Sequence, residues 1–169
     1  MTTREDFGAT TTADEVLDGM DLNGKLVVIT GGASGLGQET ARAMAAKGAQ
    51  IVIPVRDTAK GEEAVAMIQD SVPDANIELM ECDLGSMKNI RSFAGAFLAK
   101  HDQIDLLINN AGVMACPYSE TSDGLEMQFG TNHIGHFLLT NLLMPAILKG
   151  AESSGGGRIV NLSSRGHHF

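Results

Sequence analysis

The spacing of hydrophobic positions changes several times along the chain, and each change marks an element. Lys25 to Thr30 (KLVVIT) is a short β-branched apolar run closed by glycines, the pattern of a strand buried on both faces. From Gly35 the apolar residues (Leu36, Ala41, Met44, Ala45) spread to helical spacing, and they stop at Lys47-Gly48, a cationic last turn followed by a C-terminal glycine. The alternation then repeats. It predicts strand Gln50 to Val55, helix Ala59 to Asp70, strand Ile77 to Met80, helix Ser86 to Lys100, strand Ile104 to Ile108 and a long helix from about Asp123 to Leu148. After a loop from Ser153 to Gly157, a fifth strand is expected over Arg158 to Leu162. Pro145 lies late in the long helix and is expected to kink or end it.

Strands and helices alternating at these lengths predict an α/β fold, a doubly wound parallel sheet built from βαβ units. Residues 1–20 read as a polar tail with a short helix around Ala13 to Leu17, and residues 21–169 as the domain. The last strand is apolar and needs cover and a neighbour, so further C-terminal strands and helices are expected beyond Phe169.

Composition narrows the function. With 169 residues and 43% hydrophobic content the chain can build one real core, which excludes disorder. Twelve Lys+Arg against 21 Asp+Glu leave a net charge of −9, so no diffuse basic field exists for nucleic acid and an anionic ligand needs a local site. No run approaches the roughly 20 continuous apolar residues of a membrane span, and the polar start lacks the layout of a secretory signal, so a soluble cytoplasmic protein is expected. Cys82 and Cys116 are far apart and read as free thiols, with no metal site indicated.

The excess of glycine, 20 residues, has a location that gives it meaning. Thr30-Gly31-Gly32-Ala33-Ser34-Gly35-Leu36-Gly37 joins the first strand directly to a helix. Such a turn needs positive φ or close backbone approach, and the helix N-terminus after it offers free N–H groups and a positive dipole end to a pyrophosphate. The ending lacks Gly-Lys-Ser/Thr, which disfavours a P-loop. At the end of the second strand, Arg56 suits the 2′-phosphate of NADP(H), while Asp57 next to it could take the ribose hydroxyls and keeps NAD(H) open. Cys82-Asp83-Leu84, Asn109-Asn110-Ala111-Gly112 and Asn161-Leu162-Ser163-Ser164 end later strands, where open α/β sheets bind ligands. His133 and His136 lack a third ligand and read as packing residues; His167-His168 reads as a loop near the site, and Cys116 as an inert thiol on the substrate side.

TGGASGLG, CDL, NNAG and VNLSS, in this order and spacing and with GTNHIGHFLLT between the last two, resemble the N-terminal two-thirds of a classical short-chain dehydrogenase/reductase. The likeness is greatest to the retinol-dehydrogenase-like and WW-domain-oxidoreductase-like branch, and it runs from about Asp21 to the end of the chain. It implies a Rossmann-type sheet with strand order 3-2-1-4-5 in the part present. It also implies that Gly31, Ser34, Gly35, Leu36 and Gly37 cradle the pyrophosphate, that Asp83 caps the adenine with Leu84 beside it, and that Asn110, Ala111 and Gly112 border the ribose. By the same resemblance Asn132 supports a lysine-bound water and Ser164 hydrogen-bonds the substrate oxygen.

The family's Tyr-x-x-x-Lys is absent. Tyr118 is the single tyrosine and is followed by Ser, Glu, Thr and Ser, so it has no lysine to depress its pKa. The motif is expected after Phe169. The resulting expectation is an NADP(H)-preferring oxidoreductase acting on a small carbonyl or alcohol, a homo-oligomer in its full length, with the present residues inactive by themselves. A silent dinucleotide-binding or sensing module is the alternative, and an S-adenosylmethionine site is disfavoured by Arg56 together with NNAG.

Overall fold

The computed structural model describes residues 7–164. Strands β1 (Leu26–Ile29), β2 (Gln50–Val55), β3 (Ile77–Glu81), β4 (Leu106–Asn109) and β5 (Arg158–Asn161) form one sheet. All neighbours are parallel, in the order β3-β2-β1-β4-β5. A short helix, α1 (Ala13–Val16), precedes the sheet; parallel strands need long crossovers, and helices α2 (Gly35–Ala45), α3 (Thr58–Ser71) and α4 (Met87–Lys100) supply the first three. The expected doubly wound sheet is therefore present.

β1 shows why the sheet is double-covered. Val28 joins Val52, Phe93, Phe97, Leu107 and Leu139 in the core under α4 and the last helix. Val27 and Ile29 point the other way, into a core with Ala41, Ile51, Ile53 and Ile68 from α2 and α3. Alternate residues of one strand thus feed two cores, which is why its sequence reads as a continuous apolar run. A carboxylate fastens the strand at its start: Asp105 Oδ2 accepts the Leu26 N–H at 2.9 Å and Oδ1 accepts Lys25 Nζ at 3.1 Å. Burial pushes the Asp105 pKa up, but hydrogen bonds from Leu26, Ser154 and Lys25 outweigh it and hold the group below the ordinary carboxylate value.

The long helix differs from expectation. Residues 123–126 are not helical; the Asp123 carboxylate accepts the Met87 N–H at 2.8 Å, next to the start of α4, and Glu126 caps α5 (Met127–Phe129) through the N–H groups of Gln128 and Phe129. These acids satisfy helix ends instead of joining a helix interior. A π-helical turn, Gly130–Gly135, follows and leads into α6 (His136–Ser154). α6 neither stops nor breaks at Pro145. The proline removes one N–H, while Leu143, Ala146, Ile147 and Gly150 stay buried against the sheet on either side of it, and that packing carries the helix on to Ser154.

The helical stretch Met127–Ser154 is long and apolar enough, by length and composition, to cross a membrane. Here Leu139 and Leu143 turn its apolar stripe onto the sheet. β5 is more open than its apolar sequence suggests, with Val160 41% exposed. His167 and His168 lie outside the described residues, as do residues 1–6 of the tail.

Candidate functional site

The strand order reverses at β1, whose two neighbours β2 and β4 are reached by crossovers running in opposite directions. A crevice opens at the C-terminal strand ends at such a point. The glycine turn forms one wall. Gly31 has φ +67°, and a Cβ on it would stand 2.9 Å from Ala111 Cα; one on Gly37 would stand 2.2 Å from the Gly31 carbonyl and 2.5 Å from Asn110 Nδ2. Any side chain there would push the turn and the Asn110 loop apart. Ser34 is the N-cap of α2 and makes no side-chain capping bond, so the first-turn N–H groups are left for a ligand.

The cleft that results holds about 500 Å³. Gly31, Ser34, Leu36 and Gly37 line it from the turn, Arg56 from the end of β2, Leu84 from beyond β3, and Asn110, Ala111 and Gly112 from beyond β4. Nine sequence-predicted residues therefore converge from four strand ends. Gly35, with φ +54°, opens α2 beside the cleft, and Asp83 turns its carboxylate back to the Gly85 N–H at 2.9 Å. Asp57 also lines the cleft, but one of its carboxylate oxygens accepts the Lys60 N–H at 3.2 Å as the cap of α3.

The Asn110 loop is fastened to the glycine turn by Thr30. Its Oγ1 accepts the N–H groups of Asn110 at 2.9 Å and Ala111 at 3.0 Å, and its carbonyl accepts Asn110 Nδ2 at 2.9 Å. Asn132 sits in the π-helical turn, where its amide pairs with the Val113 backbone in both directions, at 2.8 Å each. Asn132 and Ser164 are not among the described residues lining the cleft; Ser164 is exposed, three residues past β5. Tyr118 is 79% exposed and donates to Glu120 Oε1 at 3.0 Å.

Several lining residues escaped the sequence reading. Lys60, in the first turn of α3, stands four residues beyond Arg56, and that spacing of two cations was a readable signal. Cys82, placed by its motif at a ligand-binding strand end but read only as a free thiol, lines the cleft, and Cys116 does not. Burial, with the Asp83 charge adding, pushes the Cys82 thiol up to about 12, so it is a protonated, apolar part of the wall. His133 and His136 do not converge: His133 stacks on Phe129 with ring centres 5.4 Å apart, while His136 is buried against Thr30. Among the described residues no group of three or more His, Cys, Asp or Glu is arranged to hold a metal.

A profile of the short chain dehydrogenase family matches residues 25–168. The chain is 46% identical over 164 residues to the chloroplastic short-chain dehydrogenase TIC 32 B of Brassica napus, covering 96% of this chain and 51% of that protein. It is 48% identical over 150 residues to retinol dehydrogenase 12 of Homo sapiens, covering 89% of this chain and 46% of that protein. The RhlG/NADP active-site complex of Pseudomonas aeruginosa superposes with a TM-score of 0.72 at 26% identity, covering 85% of this chain and 56% of that one. The chain spans about half the length of the curated relatives it matches.

Proposed function

The chain belongs to the short-chain dehydrogenase family of oxidoreductases, and from that membership we propose that it supplies the nucleotide site of an NADP(H)-preferring enzyme acting on a carbonyl or alcohol carbon. The observation that carries the cofactor preference is the pair of cations, Arg56 and Lys60, lining the same cleft as the glycine turn while Asp57 is engaged as a helix cap. A dinucleotide fits this donor set. The open N–H groups of α2 suit its pyrophosphate, and the glycines leave the room that a Cβ would fill.

When bound, the nicotinamide gives or takes the hydride. The protein's part is to hold and orient. Arg56 and Lys60 pair with the 2′-phosphate, Asp83 and Leu84 border the adenine, and Asn110 to Gly112 shape the ribose end. Ser164 hydrogen-bonds the substrate oxygen, where charge develops. Asn132 supports the proton relay from the π-helical turn. Tyr118 takes no part in this scheme, being exposed and bound to Glu120.

Fluorescence titration with NADPH, NADH and S-adenosylmethionine tests the assignment, with NADPH expected to bind tightest. Arg56→Ala should weaken NADPH about tenfold to a hundredfold, the worth of a charge-assisted contact, and leave NADH nearly unchanged. Equal losses for the two would remove the preference. The residues 1–169 should bind NADPH yet fail to oxidise it in the presence of an aldehyde; steady oxidation by them would contradict the proposed roles.

A further inference from the structure

His136 does not line the cleft, yet it is 6% exposed and bonded at both ring nitrogens. Nδ1 is 2.8 Å from the main-chain carbonyl of Asn132, and Nε2 is 2.8 Å from Thr30 Oγ1. A carbonyl only accepts, so Nδ1 carries the hydrogen. In a neutral ring Nε2 is then bare and accepts the Thr30 hydroxyl. That leaves Thr30 Oγ1 with its lone pairs for the N–H groups of Asn110 and Ala111, at 2.9 and 3.0 Å. Every polar atom in the chain of bonds is satisfied in one protonation state only. A protonated ring would aim a second N–H at Thr30 Oγ1 and leave its hydroxyl only the Ile108 carbonyl, 3.4 Å away. Burial pushes His136 below its ordinary value, in keeping with that geometry.

We infer that His136 is a positioning residue of the nucleotide cleft, a neutral imidazole strut that ties the π-helical turn at Asn132 to Thr30 and, through Thr30, sets the Asn110-Ala111-Gly112 wall. This rests on the nucleotide reading above. The strut joins three segments far apart in sequence: the end of β1, the loop after β4 and the turn before α6. Its two ends separate chemically. An asparagine amide nitrogen stands where Nδ1 does and keeps the bond to Asn132, whereas a glutamine amide oxygen stands where Nε2 does and keeps the acceptor for Thr30.

The test uses the protein at its full natural length. Nitrogen NMR of the wild type should show His136 neutral with Nδ1 protonated. In NADPH titrations His136→Gln should keep affinity within about threefold, while His136→Asn and Thr30→Val should each lose about tenfold, near the worth of one buried hydrogen bond. The double variant His136→Asn with Thr30→Val should lose no more than either alone, because both cut the same connection. A purely structural histidine would instead give affinities that follow the melting temperatures of the variants, with Gln and Asn alike. An Nε2-protonated ring overturns the strut whichever variants fold, and so do equal losses in Gln and Asn or additive losses in the double variant. Wild-type protein that binds neither NADPH nor NADH would overturn the nucleotide reading itself, and the strut's role with it.

Discussion

At the scale of single residues the site is shaped by absent side chains as much as by present ones. Gly37 has no room for a Cβ, with the Gly31 carbonyl 2.2 Å away from where it would be and Asn110 Nδ2 at 2.5 Å. Gly37→Ala should therefore cost about 1–3 kcal/mol, the usual penalty of overpacking, and should also open the cleft wall. Urea unfolding and NADPH titration of the same variant check both parts. Gly35, whose missing Cβ would meet open space, pays only for its left-handed φ of +54°. The glycine turn was readable because TGGASGLG is contiguous and its demands are local. His136 was not, because its partner Thr30 is 106 residues away and only the fold joins them.

Among the elements, α6 shows packing overriding local preference. Pro145 sits inside a helix of 19 residues that continues to Ser154. Its missing N–H leaves the Asn141 carbonyl without the usual helical donor, so Pro145→Ala should raise stability by about 1–3 kcal/mol, measured by urea unfolding. Stability unchanged or lowered would mean that the proline ring packs well enough to offset the lost bond. The α2 to α4 helices were legible from periodicity, since each carries its own apolar pattern, whereas the strand order followed only from the family that the motifs resemble. The start of the long helix was not. Asp123 and Glu126 look like ordinary helix-surface acids in sequence; Glu126 caps the N–H groups just after it, whereas the Asp123 bond to the start of α4 spans 36 residues and exists only in the fold.

For the whole molecule, the ionisable groups predict a two-stage response to acid. Burial pushes His136 below its ordinary value of 6.5, the Asn132 bond only partly opposing it, so the unfolded chain takes up a proton there before the native one does. Stability is then flat above about pH 6.5 and falls below it, because the unfolded state binds more protons. Asp105 and Glu78 are held below ordinary carboxylate values by their hydrogen-bond donors, in spite of burial, so their contribution is full above about pH 4 and is lost progressively as pH falls below it toward their depressed native values. Urea unfolding at stepped pH should show both stages, and His136→Gln should abolish the upper one alone. The sequence by itself determined the alternating strands and helices and the glycine turn, because local periodicity and turn chemistry suffice for these, and its contiguous motifs carried the strand order only through the family they resemble. Only the tertiary structure decided that Lys60 and Cys82 share the cleft with Arg56, that the π-helical turn sets the Asn132 carbonyl, and that Thr30 and His136 bind its walls together. Those facts depend on distances between residues remote in sequence, and such distances exist only once the chain has packed.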